Sequence, residues 1–388
     1  MPASAHVLCL NSGSSSLKFS VYSAADGAER CVLAGSVEGI GLAEGRIRTR
    51  AGDDPETIVT GAFANHGAAT RAMLDAVNGA GCVPDAAGHR VVHGGPDHDA
   101  PEVVTPALRT ELRDLVPFAP LHLPSAIDAM DAVAEAFPGL PQVACFDTAF
   151  HRHMPELGQR LPLPRSWWDE GVRRYGFHGL SYEYVVDALQ PRPDQRSVIL
   201  HLGSGSSAAA VRGRQPVDTS MGLTPTGGFM MATRCGDLDP GVVLHLLERR
   251  GLDAAAIDRI VNRESGLLGV SGISSDMKTL LDCRDAQPNA AQAVALFCYQ
   301  VRKCVGALAA VLGGLDALVF TGGIGERAAP VRLEICEGLE HLGVRVDPER
   351  NARDADTLSP PDAPCAVLRV ETNEDLMIAR HTREWLGG

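Results

Sequence analysis

Apolar and polar positions alternate with a period of two on either side of a small-residue turn in VLCLNSGSSSLKFSVY, residues 7–22. Leu17, Phe19 and Val21 share one face, Lys18 and Ser20 the other, so the stretch predicts a β-hairpin tipped with Asn, Gly and Ser. The design recurs in VILHLGSGSSAAAV, residues 198–211, where Ser204-Gly205-Ser206-Ser207 matches Ser12-Gly13-Ser14-Ser15. A tip with no side chain larger than serine lets backbone N–H groups and hydroxyls approach a phosphate closely. Asn11 adds an amide oxygen able to reach a metal ion or its waters, and Lys18 adds a cation. Two such hairpins, about half a chain apart, predict a duplicated fold with a nucleotide held between the halves.

Strand, turn and helix signals alternate along the rest of the chain, which predicts the α/β class. Strands are expected at 31–37 and 46–50, a helix at 66–77, and a short strand at Val91 and Val92 inside GHRVVHGG. Thr105-Pro106 opens a helix with proline at its first position. Ser125 is expected to cap the next helix, whose Ile127, Met130, Val133, Ala134 and Phe137 form one apolar face. A buried strand at 142–146 then delivers Asp147 at its C-terminal end, where open α/β sheets bind ligands. The stretch from Phe150 to Gly179 reads as irregular loop, as does the glycine-dense segment carrying Arg234. Helices are expected at 240–250 and 290–312, and a strand at 317–320 runs into a Gly322–Glu326 loop. After a strand at 367–370, Thr372 is expected to cap the last helix, with Asp375 three residues on.

A chain of 388 residues is long enough for two domains, each with its own core. A net charge of -13 with no basic stripe argues against a nucleic-acid partner. The ten cysteines include no C-x-x-C pair, and Cys9, Cys31 and Cys145 read as small buried hydrophobes. Reduced thiols and a cytoplasmic location are therefore expected. The segment MPASAH lacks the features of an export signal, and no apolar run approaches about 18 residues, so no membrane span is expected. Neither a P-loop nor a strand–GxGxxG–helix fingerprint occurs.

Read together, NSGSSSLKFS, HRVVHGG, PLH, FDTAFH, YGFHG, the HLG-x-G hairpin, TRCGDLDP, SSDM, FTGGIGE and TNED run in order from residue 11 to residue 375. In these motifs the chain resembles the acetate kinase (acetokinase) family, short-chain acyl kinases of the actin-like ATPase superfamily. The resemblance implies two duplicated actin-like (ribonuclease H-like) domains with a nucleotide cleft between them. Residues 1–150 would form the first, with a C-terminal helix (372–388) packing back; residues 151–371 would form the second and carry most of the nucleotide site. It implies a reversible phosphoryl transfer from ATP to acetate by direct in-line attack, with Mg²⁺ (or Mn²⁺) required. It also implies small-molecule partners only and a homodimer. A propionate or butyrate kinase, or an actin/Hsp70-like ATPase switch, are the alternatives.

A carboxylate attacking the γ-phosphate is already a nucleophile, so the enzyme must neutralise charge and align the reactants rather than supply a base. The resemblance assigns this to Arg90, Asp147, His178 and Arg234: Arg90 on the substrate carboxylate, Arg234 and His178 on the transferring phosphoryl group, Asp147 as orienting carboxylate or acid. Val92, Leu121, His122, Phe177 and Pro225 would shape the acyl pocket. Asn11 and Glu374 would hold the metal. Lys18, His201, Leu202, Gly203, Ser204, Gly205, Asp276, Met277, Lys278, Gly322, Gly323, Ile324, Gly325 and Glu326 would meet the nucleotide. Four residues depart from the family pattern: Leu123, Ser204 and Arg327 where Asn is usual, and Lys278 where Arg is usual.

Overall fold

A computed structural model of the chain describes residues 5–13, 15–25 and 28–387. Ser14 of the first tip and the first four residues of MPASAH lie outside the described residues. The chain divides into two compact units, residues 1–150 with 373–388 and residues 151–372.

The first unit is built on strands β1 (His6–Ser12), β2 (Ser16–Ala25), β3 (Ala28–Glu38), β4 (Gly45–Ala51), β5 (Thr57–Gly61), β6 (Ala86–Val91), β7 (Glu102–Val103) and β8 (Gln142–Phe146). They form one sheet in the order β5-β4-β3-β2-β1-β6-β8-β7. The second unit has β9 (Arg196–Leu202), β10 (Ser206–Arg212), β11 (Gln215–Thr219), β12 (Ala317–Thr321) and β13 (Ala366–Arg369), in the order β11-β10-β9-β12-β13. With β4, β5 and β7 set aside, the two sheets share one plan. Three antiparallel strands (β3-β2-β1, β11-β10-β9) are followed by two parallel ones (β6-β8, β12-β13). Both units are thus α/β folds of the actin-like kind, and the paired hairpins read from the sequence are β1–β2 and β9–β10.

The physics of the strands follows their place in the sheets. Parallel β8 and β12 are buried at every position and read as continuous apolar runs. The edge strand β5 is exposed at every position, so no apolar alternation marks it in the sequence. The helix Pro288–Leu312 has the length and composition of a membrane span. Here Val294, Phe297, Val301, Val305 and Leu308 are buried in the core of the second unit, where the helix packs against β9 and β10. In the first unit the C-terminal helix Glu374–Trp385 lies on β6 so closely that a Cβ at Gly88 would stand 2.3 Å from Thr382 Oγ1. Arg380 and Arg383 both pair with Glu29 and hold that helix down.

Several expectations need correction. Ser125 does not cap its helix, which runs Leu123–Ala136; the Ser125 hydroxyl instead donates to the His122 carbonyl. The C-terminal helix is capped by Asn373, whose side chain accepts from Leu376 N, and not by Thr372. Residues 322–326 are not a loop: Gly322–Arg327 is a short helix, because Gly322 at φ +74 turns the chain directly against the Leu202 backbone. The stretch 150–179 contains the short helices Glu156–Gln159 and Arg165–Asp169. Cys31 is exposed, whereas Cys9 and Cys145 are buried.

Candidate active-site clusters

In the first unit the ends of β1, β6 and β8 bring Asn11, Arg90 and Asp147 together, and the start of the C-terminal helix adds Glu374. Asp147 is fully buried and grips Arg90 from the side. Arg90 Nε donates to both carboxylate oxygens at 3.1 and 3.0 Å, and Nη2 donates to Oδ2 at 2.6 Å. Arg90 Nη1 donates to Asn11 Oδ1 at 3.1 Å and lies 3.6 Å from Glu374 Oε2. Asn11 Nδ2 in turn donates to Glu374 Oε2 at 3.3 Å. Burial opposes charge on Arg90, but Asp147 and Glu374 outweigh it and raise the guanidinium above its ordinary range. Asp375 accepts from the Ser20 hydroxyl at 2.8 Å; burial, with Glu374 beside it, lifts its carboxyl above the usual range. Such a cluster fixes a cation at a strand end and can meet an anion there.

In the second unit the αL residue His178 (φ 58) opens the helix Gly179–Leu189 beside the β9–β10 tip. Its ring is buried, stacks on His201 at 4.2 Å between centroids, and its Nδ1 sits 2.8 Å from Ser207 Oγ. A Cβ added at Gly205 would stand 3.3 Å from His178 Nε2 and 3.4 Å from Arg234 Nη1, so tip, imidazole and guanidinium converge there. Arg234 Nη1 donates to the Pro225 carbonyl at 3.0 Å, and Ala232 N donates to the Ser204 carbonyl at 3.2 Å, tying the glycine-dense loop to the tip. His201 Nδ1 lies 2.8 Å from Ser181 Oγ. Hydrogen-bond donors around a small-residue gap suit an oxyanion or a phosphoryl group.

The remaining sequence candidates are dispersed. Val92, Leu121 and His122 belong to the first unit, Phe177 and Pro225 to the second. Lys18 is exposed on β2, opposite Asn11 in the register. Leu202 and Met277 are buried core residues, while Gly203 accepts the Ser206 hydroxyl. Asp276 caps the helix Met277–Cys283, and hydrogen bonds from Thr279 hold its carboxyl below the usual range. Lys278 is exposed and pairs with Asp282 at 2.7 Å. Glu326 is buried and accepts from Gly322 N at 3.0 Å and Thr372 N at 3.1 Å, stapling two backbone segments; Gly323 is exposed, Ile324 partly buried and Gly325 buried. Leu123 is fully buried in a helix, and Arg327 is exposed. Sequence reasoning missed Asp375, Ser181 and Tyr182 as members of these clusters, while Ser207 was already read as part of the phosphate-cradling tip. Tyr182 could have been found by its spacing, one helical turn after His178.

Two actin-like units, each with a Gly/Ser hairpin tip and a hydrogen-bonded arginine, mark an actin-like phosphotransferase. The acetokinase family model matches residues 6–380. The chain belongs to the acetokinase family. An acetate kinase of Rhodopseudomonas palustris is 44% identical over 407 residues, covering 97% of each chain. Among solved structures, the acetate kinase of Porphyromonas gingivalis superposes with a TM-score of 0.88 at 36% identity, over 98% of this chain and 100% of that one. A propionate kinase from Francisella tularensis gives 0.91 at 32%, over 98% and 99%.

Proposed function

We propose that this chain transfers the γ-phosphoryl group of ATP to acetate, reversibly and in line, without a covalent enzyme intermediate. The observation that supports this best is the Arg90–Asp147 grip: an arginine locked at a strand end, beside Asn11 and Glu374, where a carboxylate nucleophile could be received. Arg90 binds the acetate carboxylate and offsets the repulsion between two anions. His178 and Arg234 donate to the equatorial oxygens of the transferring group, where negative charge spreads. Asp147 accepts three charge-assisted hydrogen bonds from Arg90, which makes it an orienting group and a poor proton donor.

Mg²⁺ suits the oxygen donors of Asn11 and Glu374. Among the described residues no group of three or more His, Cys, Asp or Glu side chains forms a cage, and Mg²⁺ in kinases keeps waters and phosphates as most of its ligands. When bound, the ion would neutralise phosphate charge. In the first unit Val92 and Leu121 are assigned to the acyl tail, with His122 in support; Phe177 and Pro225 are the second unit's candidates for the same role. In the second unit the tip at 203–207, with 276–278 and 322–326, contacts the nucleotide. The likeness to a propionate kinase supports propionate as a second, lesser substrate, since one methylene discriminates by only about 1–3 kcal/mol.

A homodimer fits the helix Pro240–Arg250, which buries none of its residues although Val242, Leu244 and Leu247 are apolar. A cytoplasmic location fits cysteines that form no disulfide among the described residues. The assay is ATP-dependent formation of hydroxylamine-trappable acyl phosphate from acetate, propionate and butyrate. Acetate should give the highest kcat/KM. Slow ATP hydrolysis with no acyl phosphate from any of the three would sink the proposal.

A further inference from the structure

Ser207 carries the argument. Its side chain is fully buried and sits between two ring groups, 2.8 Å from His178 Nδ1 and 2.5 Å from the Tyr182 hydroxyl. A serine hydroxyl has one proton to give and lone pairs to accept with. Tyr182 is fully buried too, edge-on to His151 at 5.6 Å between centroids. Burial pulls the His151 imidazole down to about 4, so the ring beside Tyr182 is neutral, and its Nε2 lies 3.1 Å from the Phe177 carbonyl. Gly176 permits this packing, since a Cβ there would meet the His151 ring at 2.6 Å.

We propose that Tyr182 and Ser207 are positioning residues for His178: the Tyr182 hydroxyl donates to Ser207 Oγ, and Ser207 donates to His178 Nδ1. The neutral ring must then carry its proton on Nε2, the atom that faces Gly205 beside Arg234. His178 can thereby donate a hydrogen bond to a phosphoryl oxygen without first becoming charged. Its αL backbone and the stack on His201 fix where the ring lies; the hydroxyl pair fixes which nitrogen is protonated. This inference rests on the reading of His178 as a phosphoryl-oxygen donor.

The test uses the full-length enzyme and Tyr182→Phe, Ser207→Ala and His178→Ala. Long-range ¹⁵N–¹H spectra are recorded at about pH 8, above the ordinary histidine range, with the His178 signals assigned by their loss in His178→Ala. The wild type should show Nδ1 unprotonated and Nε2 protonated; both hydroxyl variants should show a mixture of tautomers. Turnover of Tyr182→Phe should fall about three- to tenfold, the loss of one hydrogen bond's net worth, with both KM values within about twofold. Ser207→Ala should fall further. An unchanged tautomer in Tyr182→Phe and Ser207→Ala overturns the proposal, as does a loss seen only in KM. Wild-type turnover in His178→Ala would instead overturn the catalytic reading beneath it, because the tautomer is measured independently of activity.

Discussion

The two clusters rest on the same strand plan but handle charge in opposite ways. In the first unit Arg90 is enclosed by carboxylates: Asp147 takes three of its hydrogen bonds and Glu374 lies 3.6 Å away. In the second, His178 meets the Ser207 hydroxyl and another imidazole, and Arg234 donates to a backbone carbonyl. The first arrangement makes the cation part of the fold, since removing it takes three hydrogen bonds from a buried carboxylate. The second sets a hydroxyl, an imidazole and a backbone carbonyl around its donors. A duplicated scaffold thus supports one site that is coupled to stability and one that is tuned for donation.

The largest effect should come from comparing Arg90→Ala with Arg234→Ala. Arg90→Ala removes three hydrogen bonds and an ion pair from the buried Asp147 carboxylate, so it should cost about 3–5 kcal/mol of stability as well as activity. Arg234→Ala should remove activity on a comparable scale, on the order of 10²–10³-fold in kcat, and cost about 1.5–3 kcal/mol of stability, the worth of a charge-assisted hydrogen bond such as that to the Pro225 carbonyl. Urea unfolding beside the acyl-phosphate assay reads both. Equal stability losses in the two variants would erase the contrast between the units.

Asp147 sharpens the same contrast at smaller scale. If the carboxylate only orients Arg90, Asp147→Asn retains one acceptor oxygen and should lower kcat about tenfold, while Asp147→Ala should lower it about 10²–10³-fold. Equal losses in the two variants would favour proton transfer over positioning.

How much of this was legible beforehand varied with the physics behind each signal. The hairpins β1–β2 and β9–β10, strand β8 and the helix Pro240–Arg250 stand where apolar period and a leading proline put them. Strand β5 was invisible because an exposed edge has no buried face to write a pattern. Cap assignment failed where two candidates adjoin: Thr372 and Asn373 both suit a cap, and Thr372 is instead held through its N–H by Glu326. Ser125 failed because Pro124 is well tolerated in the first turn, which let the helix begin before it. Arg90, His178 and Arg234 were picked by resemblance; Asp147 was also placed by its strand, at the C-terminal end where open α/β sheets bind ligands. The side-on grip and the Ser207–Tyr182 link needed coordinates, since neither pairing follows from sequence spacing alone.

The two units also share a feature that tests them evenly under acid. His89 in the first and His151 in the second are both buried, and burial pulls each down to about 4. His89 has its Nε2 2.7 Å from Gln142 Oε1. Above the ordinary histidine value of about 6.5 both states are neutral and nothing is gained or lost. As pH falls below it the unfolded chain takes up protons that the folded chain refuses, so stability falls, and the loss levels off near pH 4. At pH 5 each histidine should cost roughly 2 kcal/mol. Asp375 works the other way: burial raises its carboxyl, so the folded state binds a proton earlier and gains as pH falls. His89→Gln keeps a donor for Gln142 and removes one titration. Its unfolding free energy from urea titration should therefore drop less between pH 7 and 5 than the wild type's, by roughly the 2 kcal/mol assigned to one histidine. If the two curves fall in parallel, His89 is not held neutral, and the acid sensitivity of the first unit lies in its carboxylates instead.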